Sequence, residues 1–75
     1  MQLTQAQAEL KNELIWTYFD FFNARNDFLQ TNYEIDRQRM QFFRQKLKPL
    51  VKKANDLYGI WFTKQCKERA KGLIE

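Results

Sequence analysis

Seventy-five residues, 44% of them hydrophobic and 16% aromatic, describe one small folded domain, too short for two cores and too apolar for a disordered chain. A single cysteine, Cys66, excludes an intramolecular disulfide, and the absence of histidine removes the commonest ligand of protein metal sites. The formal charge of +4 conceals an asymmetry: up to Asp36 two basic residues stand against six acidic ones, a net of −4, whereas from Arg37 onward eleven stand against three, a net of +8.

Glycine occurs only at 59 and 72 and proline only at 49, so the chain lacks hairpin and loop signals and reads as all-α, one helical domain over residues 1–75. Met1 to Leu10 is polar, without the basic opening and apolar stretch of a secretory signal, and the uncharged apolar run Leu14 to Phe19 is far too short to span a bilayer. A cytoplasmic location without a membrane partner is therefore expected, in keeping with a free thiol. Thr4 followed three residues later by Gln7 has the form of a capping box, in which the hydroxyl accepts from an otherwise unpaired first-turn amide. Helix 1 is expected over about residues 4–30.

Along that helix Leu3, Gln7, Leu10, Leu14, Thr17, Phe21, Ala24 and Phe28 recur at alternating intervals of four and three, the period of a packed helical seam. A second seam, out of phase with the first, runs through Met40, Phe43, Leu47, Leu50, Ala54, Leu57 and Trp61. Between them the pattern fades, and Thr31, Asn32 and Tyr33 supply a turn, since Asn tolerates the left-handed conformation that ends helices. With the apolar seams facing each other, Glu13, Asp20 and Asp27 flank the first and Arg39, Lys46 and Lys53 flank the second. An antiparallel hairpin aligns Asp27 with Arg39, Asp20 with Lys46 and Glu13 with Lys53, and stacks Ala24 on Met40, Leu14 on Leu50 and Leu3 on Trp61. Exposed ion pairs contribute only about 0–1 kcal/mol each, so they select orientation while burial of the seam supplies the stability. The same register places Arg25 opposite Arg44, a like-charge conflict met either by the two splaying into solvent or by something anionic between them.

Helix 2 is expected over about residues 34–71, with a kink or break near Pro49. Because the seam stays in phase across Pro49, a kinked continuous helix is the leading expectation and a third helix starting there the alternative. The overall expectation is an antiparallel helical hairpin that dimerises into a four-helix bundle, a three-helix bundle being the alternative. Small dimeric four-helix bundles share that outline, but architecture alone does not fix function.

The sequence contains neither serine nor histidine and lacks a glycine-rich phosphate loop, so the standard hydrolytic triads and nucleotide cradles cannot be assembled. The carboxylate pairs Glu9/Glu13 and Glu34/Asp36 read as solvated charges and caps, and Cys66 among Lys64, Lys67 and Arg69 as an incidental thiol, although neighbouring cations favour a thiolate. No catalytic residue, metal or cofactor is expected, and the chain is not expected to be an enzyme.

Two sets of residues are left to meet something. Ile15, Phe22 and Leu29 repeat every seven residues outside the hairpin seam, with Trp16 and Phe19 beside them, and form a candidate protein-binding face. A second copy, the chain's own C-terminal segment or another protein is expected to cover it. Arg37, Arg44, Lys48 and Lys52 lie broadly along one side of helix 2, and Lys64, Lys67, Arg69 and Lys71 follow in the tail. They form a candidate nucleic-acid surface, against which stand Asp56, Glu68 and the lack of any helix-turn-helix, zinc or RNA-recognition pattern. The leading expectation is a non-enzymatic helical binding module, a regulator, inhibitor or assembly adaptor working through protein–protein contacts, with a homodimer or a protein target as partner. The alternative is a nucleic-acid-binding regulator.

Overall fold

The computed structural model describes residues 3–74, in which three helices pack together: α1 (Gln5–Thr31), α2 (Glu34–Tyr58) and α3 (Ile60–Ile74). Among the described residues there is no strand.

The start of α1 follows from its sequence. The Gln7 amide donates to Thr4 Oγ1 at 3.2 Å, and the Thr4 amide donates to Gln7 Oε1 at 3.0 Å, closing the capping box. At the other end Asn32 adopts the left-handed conformation (φ 57°) and its amide donates to the Phe28 carbonyl at 2.7 Å. The Tyr33 amide donates to Thr31 Oγ1, and the Thr31 hydroxyl donates to the Asp36 carboxylate, tying the turn to the first turn of α2. Glu34 and Asp36 sit in that first turn, where the helix dipole favours negative charge.

The main departure from expectation lies in α2. The helix continues through Pro49, and the expected single helix over 34–71 is divided ten residues later, at Gly59. Pro49 is exposed, so the Gln45 carbonyl that it leaves without a donor faces water rather than the core. Gly59 takes φ 94° and ψ 166°, a conformation that side-chain-bearing residues rarely adopt. Its amide closes α2 by donating to Asn55 O at 3.0 Å, while its carbonyl accepts from the Phe62 amide at 3.2 Å and opens α3. The third helix of the alternative architecture thus exists, but it starts after Gly59.

Antiparallel to α1, α2 is joined near the turn by an ion pair between Arg39 and Asp27 at 3.3 Å, the first of the three expected cross-helix pairs. Among the described residues, ion pairing between α1 and α2 is limited to this one; Asp20 with Lys46 and Glu13 with Lys53 are not joined. After the reversal at Gly59, α3 runs in the direction of α1, with Gln65 and Arg69 beside Lys11 and Ile15, and Lys71 and Ile74 beside Phe22 and Arg25. At a rise of about 1.5 Å per residue α3 is roughly half as long as α1, so it runs from the open end of the hairpin as far as Phe22 and stops short of the Asn32 turn.

One core joins all three helices: Leu10, Leu14, Ile15 and Phe22 from α1, Leu47 and Ala54 from α2, and Phe62, Cys66 and Ala70 from α3. Ala24, Ala54 and Ala70 are fully buried, and their small side chains let the helix backbones approach. The two buried threonines are satisfied, Thr17 by donating to the Glu13 carbonyl at 2.7 Å and Thr63 by donating to Asn55 Oδ1 at 2.6 Å. The latter bond latches α3 to α2. The outer ends of the expected seam do not close: Leu3, Leu57 and Trp61 are exposed, because the chain turns away at Gly59 before Trp61 can reach Leu3.

Candidate functional site: a basic groove on the second helix

Cys66 is not poised for chemistry. It is buried, and that burial pushes its thiol up from the ordinary range, outweighing the opposing pull of the Lys11 charge. Its sequence neighbours Lys64, Lys67 and Arg69 are exposed on the outside of α3. Tyr18 is likewise raised, chiefly by burial and secondarily by Cys66. Of the carboxylates, Glu34 pairs with Arg37 at 3.1 Å, Asp36 with Arg39 at 3.5 Å, and Glu9 accepts from Gln5 at 3.3 Å. No group of three or more metal-ligating side chains occurs among the described residues. No helix among them is long and apolar enough to cross a membrane.

The aromatic face read from the sequence is split. Ile15 and Phe22 are 7% and 8% exposed, inside the core with Phe62, Cys66 and Ala70 of α3. Phe19 is half-buried, and its ring meets that of Trp16 edge-on at 5.5 Å. Trp16 stays 55% exposed and Leu29 69% exposed. Leu29 continues the stripe of Ile15 and Phe22 by one heptad, but α3 ends near Phe22 and leaves it uncovered. Of the ways to cover that face, the fold-back of the C-terminal segment is the one present, and it reaches only the first two repeats.

The basic residues separate by what surrounds them. Arg37 is held by Glu34. Arg44, Lys48 and Lys52, spaced along successive turns of α2, line a shallow groove of about 510 Å³ together with Phe21, Leu47 and Val51. None of these three cations has an acidic partner among the described residues. Asn55 and Asp56 close the end of the groove nearer α3. Lys64 and Arg69 lie beside the exposed Trp61 on the outer side of α3, and Lys67 is exposed there too. Lys71 lines a smaller cleft with Phe22, Arg25 and Ile74. Phe21 of the groove and Phe22 of the cleft are sequence neighbours whose ring centroids are 5.8 Å apart.

Sequence reading identified the rim of this groove but missed its floor. Phe21 was assigned wholly to the seam, yet it remains half-buried and open to the groove, and Val51 flanks the α2 seam beside Leu47. Arg25 and Arg44 line different clefts, neither with an acidic partner among the described residues. No family model matches the chain, and no curated protein or solved structure matches it either.

Proposed function

We propose that this chain is a non-enzymatic helical binding module, a regulator, inhibitor or assembly adaptor that acts by occupying or bridging protein surfaces, with the α2 groove as its contact site. One observation carries the reading: three unpaired cations, Arg44, Lys48 and Lys52, rim a groove whose floor is apolar. Unpaired cations over an apolar floor are complementary to a ligand that brings both anionic and apolar groups, and a protein surface supplies both. A reducing, cytoplasmic setting belongs to the proposal, supported by the single free thiol.

The test is capture of proteins from nuclease-treated extract by the wild-type chain and by the Arg44→Gln/Lys48→Gln/Lys52→Gln variant. Nuclease-resistant capture that disappears with the variant supports the reading. Capture abolished by nuclease and weakened steeply by salt transfers the groove and the α3 cations to the alternative, a nucleic-acid-binding regulator.

Homodimerisation is the second reading, and its location moves. Ile15 and Phe22 are inside the core, so self-association falls to the hairpin end, where Leu29, Tyr33, Ile35 and Phe42 are exposed. Light scattering across concentration checks it: a mass that rises to twice the chain mass, and returns to monomer with Leu29→Glu/Phe42→Glu, supports the dimer, while a constant monomer mass removes it.

A further inference from the structure

We infer that the occupant of the α2 groove is an acidic amphipathic helix of a partner protein, an inference that rests on the protein-binding reading above and names the partner's chemistry. The groove follows α2 from Arg44 to Asp56, about 18 Å at 1.5 Å per residue, which is three to four turns of a docked helix. Its walls are helical side-chain surface, whose backbone donors and acceptors are already spent within α2. An extended peptide laid there would keep its own amides and carbonyls unpaired wherever it loses water, whereas a helix arrives with them satisfied. The occupant is therefore helical.

Charge and floor fix its two faces. Phe21, Leu47 and Val51 call for apolar side chains at helical spacing, entering the groove as ridges enter the groove of a facing helix. Arg44, Lys48 and Lys52 call for carboxylates along the flank of that apolar stripe. Arg25 and Lys71 line a second, smaller cleft with Phe22. A nucleic acid matches the rim but suits the floor less well, for base stacking uses exposed aromatic planes, whereas Phe21 is the one aromatic in the lining and is half-buried, and the exposed Trp61 lines a different patch on α3. Asp56 is the one acid in the lining and opposes the ligand's charge at its end of the groove.

The experiment uses the full chain under reducing conditions and a labelled synthetic peptide of about 14 residues, enough to span the groove, with Leu and Phe on one helical face and Glu along its flanks. A scrambled peptide of identical composition, a single-stranded RNA and a DNA duplex are the comparison probes. The amphipathic peptide is expected to bind in the micromolar range at moderate salt and at least about tenfold more tightly than the scramble. Arg44→Gln/Lys48→Gln is expected to weaken it about tenfold, Val51→Thr a few-fold, and Asp56→Asn to tighten it about twofold. Circular dichroism of each variant establishes that the fold is retained. Equal binding of the scramble, tighter binding of RNA or DNA through the same residues, or no binding of the peptide overturns the inference. Peptide failure alongside nuclease-resistant capture by the groove overturns this inference alone; failure of both also removes the protein-binding reading.

Discussion

At Cys66 the sequence and the fold pull in opposite directions. Three cations within three residues suggest a lowered thiol pKa, but the side chain faces the core, and the cost of burying a thiolate dominates. A thiol whose folded pKa is raised favours the folded state fully below the unfolded value and loses that contribution as pH climbs through the folded value. Ionisation of Cys66 is therefore expected to leave stability unchanged around neutral pH and to lower it once pH passes the ordinary thiol value of 9.0, where the unfolded chain ionises first. Urea unfolding at a series of pH values checks this: Cys66→Ala should flatten the first part of the alkaline decline, and an unchanged decline would show the thiol free to ionise in the folded state. Other residues were legible directly. Thr4 and Gln7 form their capping box and Asn32 takes the left-handed cap, because these signals are local and no tertiary contact competes with them.

Among the elements, α2 continues through Pro49, and the break falls at Gly59, for which the sequence offered no role. Pro49 carries the stronger helix-breaking reputation, yet its cost falls on an exposed side of α2, where water serves the freed carbonyl. Gly59 makes the turn, and it was masked because Ala54, Leu57 and Trp61 continue the seam spacing across it. Pro49→Ala is expected to stabilise the protein by about 1–3 kcal/mol, by restoring a helix donor and helix propensity at a site that packs against nothing buried. Denaturant unfolding measures it, and a loss of stability would mean that the proline shapes α2 for packing. The break at Gly59 also explains the divided aromatic face. Phe62, Cys66, Ala70 and Ile74 recur every four residues and so form a second buried stripe, which only a separate helix running back along α1 can lay against Ile15 and Phe22.

Across the whole molecule, one of the three pairs expected from the division into an acidic and a basic half forms, Asp27 with Arg39, and the other two do not. The remaining cations outnumber what α1 can neutralise, and they gather on α2 and α3. Their presence was legible from composition alone. That three of them share a rim around Phe21, Leu47 and Val51 was not, because the floor joins residues from two helices and depends on how deeply Phe21 enters the seam. Arg44, Lys48 and Lys52 are exposed and without internal partners among the described residues, so they are expected to contribute little to the fold, and the proposed function assigns them to binding. That assignment is tested most directly by measuring unfolding free energy and nuclease-resistant protein capture on one variant, Arg44→Gln/Lys48→Gln/Lys52→Gln. Stability is expected to stay within about 0.5 kcal/mol of the wild type while capture drops to background. Capture that persists at the wild-type level, or a loss of stability above about 2 kcal/mol that takes capture with it, would show that these cations are not a binding rim.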